Sequence, residues 1–212
     1  MKPANMSPSL DFPATFICSL ADWGDLPAIG PEGVIGFAGR SNVGKSSLIN
    51  RLARRNHLAR VGRTPGKTTL ANLYRLDKGG YFLDLPGYGY MKRDKATAAQ
   101  ARRLATAFVE HLPGLKRILL MVDVRRGVLD SDRDALDWLR GIGSPVTILV
   151  SKIDLEPRRT VREIQAEWER LVSETHRQSP GPLTVAISSR TGEGIDTLSR
   201  LVAQDLYGFP NS

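Results

Sequence analysis

An α/β domain is the fold this sequence predicts: a mostly parallel six-stranded sheet with one antiparallel edge strand and helices on both faces. Two observations carry the prediction. Short, almost continuous apolar runs recur along the chain, as in strands that helices bury on both sides. Between them lie longer segments with helical periodicity, and alternation of the two kinds builds a layered α/β domain.

The runs are 34–38 (VIGFA), 70–76 (LANLYRL), 81–85 (YFLDL), 117–124 (RILLMVDV), 145–150 (PVTILV) and 183–188 (LTVAIS). The second is the most mixed and is assigned to the sheet edge. A helix is expected over 47–55. SDRD at 131–134 and TVRE at 160–163 read as capping boxes that open two further helices. Val161, Ile164, Trp168, Leu171 and Val172 then form one apolar stripe, so Trp168 reads as core. Ile195, Leu198, Leu201 and Val202 give the last helix its buried face. Residues 1–31, rich in Pro, Gly and Asp, read as an N-terminal arm, 32–208 as one domain and 209–212 as a tail.

Composition narrows the class. The chain has 212 residues, 41% hydrophobic and 25% charged, an ordinary globular balance. No apolar run approaches the roughly 20 residues of a membrane helix, and the N-terminus lacks a secretory pattern. The single Cys18 cannot form an internal disulfide, which fits a reduced, cytoplasmic setting. Thirty Lys and Arg against 22 Asp and Glu leave a net charge of +8. That excess suits a polyanionic partner or simply a basic soluble protein.

Residues 39–46, GRSNVGKS, follow the first run and precede a helix. This is the GxxxxGK[ST] phosphate loop in its required context. Gly39 and Gly44 let the backbone N–H groups of Arg40, Ser41, Asn42 and Val43 curl around phosphate. The Lys45 ammonium reaches the β- and γ-phosphates, and the Ser46 hydroxyl is a Mg²⁺ ligand. Chance agreement at the four fixed positions is on the order of 1% for such a chain.

Asp84, Leu85, Pro86 and Gly87 form a DxxG box at a strand end, where α/β sheets bind ligands. Asp84 can hold Mg²⁺ through water, and the Gly87 N–H can sense the γ-phosphate. Ser151, Lys152, Ile153 and Asp154 follow another strand and resemble the [NT]KxD box of GTPases. An Asp carboxylate accepts from N1–H and the 2-amino group of guanine, a donor pair adenine does not offer. The Lys152 stem would pack along the base, and Ser151 stands where Asn or Thr is usual. Ile187, Ser188 and Ser189 close the last strand and resemble the box whose backbone meets the guanine oxygen.

Together GRSNVGKSSLIN, TPGKTTLANLYRL, DLPGYGY, SKIDL and ISSRTGEGID resemble the EngB (YihA/YsxC) family of bacterial GTPases, within the Era-like P-loop GTPases. The resemblance covers roughly residues 33–206. It implies a GTP/GDP switch in assembly of the large ribosomal subunit, with a link to cell division and septation. The implied partners are large-subunit precursors and ribosomal RNA. No DNA partner, integral membrane association or oligomer is expected. It also assigns the segment Gly66, Lys67, Thr68, Thr69 and Leu70 to switch I, with Thr68 as second side-chain Mg²⁺ ligand. Thr69 replaces the usual Gln. Lys45, Thr68 and Gly87 are thereby the catalytic set. A division scaffold in which hydrolysis is incidental is the alternative, and a P-loop phosphotransferase is a remote third.

Tyr88 follows DxxG where many small GTPases place a water-orienting Gln. Slow intrinsic hydrolysis is expected, with the site completed from elsewhere. One candidate is K⁺: Asn42 stands where potassium-activated relatives carry a K⁺-ligating Asn, although it can equally serve the loop backbone. The other is a ribosomal partner. Arg51, Arg54, Arg55, His57, Arg60, Arg63 and Lys67 lead into switch I, and Lys92, Arg93, Lys95, Arg102 and Arg103 follow switch II. These read as an RNA surface or as solvated helix faces. Tyr88 and Tyr90 read as base-stacking or internally packed side chains.

Overall fold

A computed structural model describes residues 10–59, 70–88, 95–141, 143, 145–173 and 183–208. The strands are β1 (Ala14–Leu20), β2 (Val34–Gly39), β3 (Ala71–Leu76), β4 (Tyr81–Asp84), β5 (Leu115–Asp123), β6 (Val146–Ser151) and β7 (Thr184–Ile187). The helices are α1 (Lys45–Leu52), α2 (Lys95–His111), α3 (Asp130–Gly141), α4 (Arg158–Ser173) and α5 (Ile195–Tyr207).

The strands form one sheet in the order β1-β3-β4-β2-β5-β6-β7. From β4 to β7 every neighbour pairs parallel. β3 runs antiparallel to both β4 and β1. The α/β class and the single antiparallel strand hold, with two corrections. The sheet has seven strands rather than six, and β3 is next to the edge because β1 lies outside it. β1 comes from the stretch read as an arm. Its burial runs buried at Ala14 and Leu20 and mostly exposed between, and its register slips between Phe16 and Cys18. An edge strand with a bulge carries no continuous apolar run.

Alternation along the central strands sorts side chains into two cores. Val34, Ile118, Leu120, Ile148 and Val150 pack with Leu104 and Phe108 of α2, Leu136 and Leu139 of α3, and Trp168 and Val172 of α4. Ile35, Phe37, Leu119, Met121 and Leu149 face the other way, onto Leu48 and Ile49 of α1 and Leu198 and Val202 of α5. This period of two is why the strands read as continuously apolar. Trp168 is fully buried, as its helical spacing predicts.

Three helix starts differ from the sequence reading. α3 begins at Asp130 and α4 at Arg158, so Ser131 and Thr160 lie inside the helices rather than at their caps. The first turns close on other carbonyls: Arg133 N–H donates to Leu129 O, and Val161 N–H to Pro157 O. Pro157, with its fixed φ and no N–H to lose, suits a helix start. α1 likewise begins two residues before the expected helix, at Lys45.

One charged pair lies inside the sheet–α5 layer. Arg117, 1% exposed, donates through Nε to Asp205 Oδ2 at 2.5 Å, through Nη2 to Oδ1 at 3.1 Å and through Nη1 to Thr147 Oγ1 at 3.1 Å. Removing one partner leaves a buried charge uncompensated. Asp205→Ala should therefore lower unfolding free energy by about 3 kcal/mol, read from urea melts. A loss within a few tenths of a kcal/mol would mean that Arg117 finds water.

Candidate functional site

Four loops leave the same edge of the sheet, after β2, β4, β6 and β7. The loop after β2 turns back on itself through left-handed backbone. Gly39, Asn42 and Gly44 have φ of 152°, 64° and 113°. A Cβ on Gly39 would stand 2.9 Å from Met121 O and 2.9 Å from Val43 Cγ1, so no side chain fits there. Gly44 caps α1, accepting Leu48 N–H at 2.9 Å. The loop thus delivers a helix N-terminus, with Lys45 and Ser46 in its first turn, onto the strand-end edge. Such an arrangement attracts phosphate.

Within the loop Val43 N–H donates to Arg40 O at 3.2 Å, while the Asn42 and Val43 carbonyls need partners elsewhere. β6 provides them. The buried Ser151 hydroxyl lies 3.1 Å from Val43 O and 2.8 Å from Val122 O, placed to donate its one hydrogen to either. Lys152 Nζ donates to Asn42 O at 2.7 Å and pairs with Asp123 Oδ2 at 2.9 Å. Asp123 closes β5 and also accepts from Arg125 Nε, Nη2 and N–H. Burial alone would raise the Asp123 pKa. The Arg125 and Lys152 hydrogen bonds outweigh it and hold the carboxyl at about 2.

Asp154 follows in a short turn, Ile153–Leu155, with Ile153 buried beneath it. Ser188 Oγ donates to Asp154 Oδ1 at 2.6 Å, and Arg190 Nε donates to Oδ2 at 2.7 Å. The Ser188 and Arg190 hydrogen bonds lower the Asp154 pKa against partial burial, so the carboxylate is ionised and oriented. Ile187 and Ser188 are fully buried and Ser189 half-buried. The predicted strand-end boxes after β6 and β7 are therefore one assembly.

DxxG meets the phosphate loop directly. Asp84 is buried, and its Oδ1 lies 3.6 Å from Lys45 Nζ. Leu85 and Pro86 are buried behind it. Gly87 packs so closely on Ser41 that a Cβ would sit 3.0 Å from its Oγ. Ser41 N–H donates to Tyr88 O at 3.3 Å. Tyr88 is partly buried, and its hydroxyl is inaccessible. It faces Asp132 on α3; burial and that carboxylate push its pKa well above the usual tyrosine value. Arg40 reaches the same corner, with Nη1 3.3 Å from Ser131 Oγ. Of the two readings of Tyr88, the structure favours internal packing.

The donors suit Mg²⁺. Among the described residues no three of His, Cys, Asp and Glu gather into a metal cage. What the loop edge offers is a Ser46 hydroxyl in the first turn of α1 and a buried Asp84 carboxylate beside Lys45. Few protein oxygens beside a phosphate cradle is the pattern of Mg²⁺ held with substrate phosphates. Leu70 directly precedes β3, whereas Gly66, Lys67, Thr68 and Thr69 lie outside the described residues, as do Arg60, Arg63, Tyr90, Lys92 and Arg93. Arg51, Arg54, Arg55 and His57, at and beyond the end of α1, and Arg102 and Arg103 on α2 are exposed. The two helices pack on opposite faces of the sheet, so the described basic residues do not merge into one patch.

Asp123, Asp132 and Arg190 were not singled out in the sequence. Asp123 had a signal: an acid closing an apolar run at a strand end. Arg190 had only its place directly after the Ser188–Ser189 box; its partner lies 36 residues away. A cleft of about 370 Å³ lies beside the phosphate loop, between Ser41, Asn42, Asp123, Arg125 and Lys152. It flanks the cradle and does not include Lys45, Ser46 or Asp154.

Comparison with known proteins agrees with this geometry. Residues 34–152, more than half of the chain, match the family model described as 50S ribosome-binding GTPase. The probable GTP-binding protein EngB of Dechloromonas aromatica is 42% identical over 158 residues, covering 73% of this chain and 71% of that protein. That of Cytophaga hutchinsonii is 35% identical over 186 residues, covering 87% and 92%. A crystal structure of a probable EngB superposes with a TM-score of 0.64 at 23% identity, covering 84% of this chain and all of that one. Era in complex with MgGDPNP and a 16S ribosomal RNA fragment gives 0.64 at 22% identity, with 85% of this chain and 59% of that chain covered. With its phosphate loop, DxxG and SKxD boxes ending parallel strands of one sheet, this chain belongs to the EngB family of P-loop GTPases, which hydrolyse GTP.

Proposed function

We propose that this GTPase is a slow nucleotide switch in assembly of the large ribosomal subunit, and that normal division and septation depend on that assembly. The observation that carries the reading is the family model over residues 34–152, described as a 50S ribosome-binding GTPase. The net charge of +8 suits a ribosomal RNA partner. No helix among the described residues is long and apolar enough to cross a membrane, and the lone, unbridged Cys18 suits the cytoplasm.

In this reading the loop amides of 40–44 and the α1 N-terminus bind the phosphates. Lys45 leaves Asp84 to reach the β- and γ-phosphates. Ser46, Thr68 and, through water, Asp84 hold Mg²⁺, whose chemistry is to neutralise charge on those phosphates. Asp154 reads the guanine edge, the Lys152 stem lies along the base, and the backbone at Ser188 and Ser189 meets the guanine oxygen. The Gly87 N–H senses the γ-phosphate, so binding GTP must loosen the packing of Gly87 on Ser41 and of Tyr88 O on the Ser41 amide. That coupling makes the DxxG segment a switch.

In this reading hydrolysis is slow because Tyr88, its hydroxyl buried against α3, supplies no amide to orient an attacking water. K⁺ at Asn42 is the proposed complement, placed to neutralise developing charge as an arginine finger would. GTP turnover in KCl should exceed that in NaCl at equal ionic strength by about tenfold, the worth of some 1.4 kcal/mol of barrier. Equal rates sink the K⁺ assignment. For the partner, sedimentation through sucrose gradients with large-subunit precursors is decisive. Binding should appear with a non-hydrolysable GTP analogue, fall with GDP and weaken as salt rises. Sedimentation independent of nucleotide would contradict a switch on the ribosome.

A further inference from the structure

Asp154 is held by two donors of very different character. Ser188 is 0% exposed and fixed by its surroundings. Its N–H donates to Glu193 O at 2.9 Å, its carbonyl accepts Gly192 N–H at 2.9 Å, and its Oγ accepts Thr191 N–H at 3.0 Å. The hydroxyl hydrogen is then aimed at Asp154 Oδ1. Arg190 is the opposite case. Its side chain is 73% exposed, yet it reaches the Asp154 carboxylate, which is 9% exposed. With the guanidinium in place against Oδ2, little of that carboxylate remains open to solvent.

Guanine must arrive from solvent, and Ser188 already holds the Oδ1 side of Asp154. A carboxylate has about four lone-pair positions, so the two-donor base can share Oδ1 with Ser188. It cannot take the solvent edge while Arg190 Nε stands 2.7 Å from Oδ2. We propose that Arg190 gates the guanine edge of Asp154, occupying it without nucleotide and being displaced when the base binds. This deepens, and rests on, the reading of Asp154 as the guanine-recognising group.

The magnitudes favour displacement. An ion pair with one partner in solvent is weak, whereas a base seated on a nearly buried carboxylate donates two hydrogen bonds in a drier site. Arg190 therefore acts as a placeholder. It keeps Asp154 ionised and aimed, and guanine binding carries the small cost of moving it. Removing the side chain should speed guanine binding. General electrostatics predict the reverse, since loss of a cation weakens any nucleotide anion. The sign separates the two.

The test is association kinetics and affinity of fluorescent GDP and ADP at fixed Mg²⁺, for wild type, Arg190→Ala and Arg190→Lys. Thermal melts without nucleotide confirm that each variant folds. Arg190→Ala should gain GDP affinity by about two- to fivefold, the worth of an exposed ion pair, with no gain for ADP. Arg190→Lys should fall between wild type and Arg190→Ala. Rising salt should shrink the difference between wild type and Arg190→Ala, because it screens the pair. Equal or weaker GDP binding by Arg190→Ala, with wild type still preferring GDP over ADP, overturns the gate alone. A wild type that does not prefer GDP over ADP overturns the reading of Asp154, and the gate with it.

Discussion

The site depends on how the carbonyls of the phosphate loop are satisfied. Turning the loop's amides toward an anion turns Asn42 O and Val43 O away from it, and those carbonyls need partners of their own. Lys152 Nζ donates to Asn42 O, and the Ser151 hydroxyl lies within reach of both Val43 O and Val122 O. Two of the three polar residues in SKxD thus contact the phosphate loop, and Asp154 does not. The phosphate loop is braced on the end of β6. Ser151, at the Asn or Thr position, keeps a hydroxyl within reach of the loop but divides its one hydrogen between Val43 O and Val122 O.

The sheet makes that brace possible. β2 lies between β4 and β5, and the helices that follow β2 and β4 pack on opposite faces. The strand order reverses at β2, and a crevice at the strand ends is the consequence. The phosphate loop fills it. DxxG at the end of β4 closes one side through Gly87 on Ser41, while Asp123 at the end of β5 closes the other through Lys152. The phosphate loop is short, and Asp84, Ser151, Lys152 and Asp154 each sit within a few residues of a buried strand. Precision at the site follows from the rigidity of the layer beneath it.

Most of the sheet was legible in the sequence because its inner strands are buried on both faces and so read as apolar runs. β1 was not, since an edge strand with Phe16 and Ile17 nearly half exposed and a register slip follows neither pattern. The starts of α3 and α4 were displaced by two and three residues, because Leu129 and Pro157 carbonyls close the first turns ahead of the apparent capping boxes. At the site, residues defined by local spacing were legible: Lys45, Asp84, Ser151 and Asp154 all reach the same edge. Asp132 and Arg190 act through partners distant in sequence, and spacing carries no trace of such contacts. Tyr88 was legible as a departure from Gln, but its burial toward Asp132 required the packing of α3.

The central claim is that Asp154, held by Ser188 and standing free of the phosphate-loop brace, selects guanine. Equilibrium affinities of wild type and Asp154→Asn for GDP and xanthosine diphosphate test it most directly. An Asn amide donates where the carboxylate accepts, so it matches the 2-oxo group of xanthine and opposes the guanine donors. The account predicts that Asp154→Asn loses GDP affinity by about a hundredfold or more and gains xanthosine diphosphate. Undiminished GDP binding by a folded Asp154→Asn protein would contradict it.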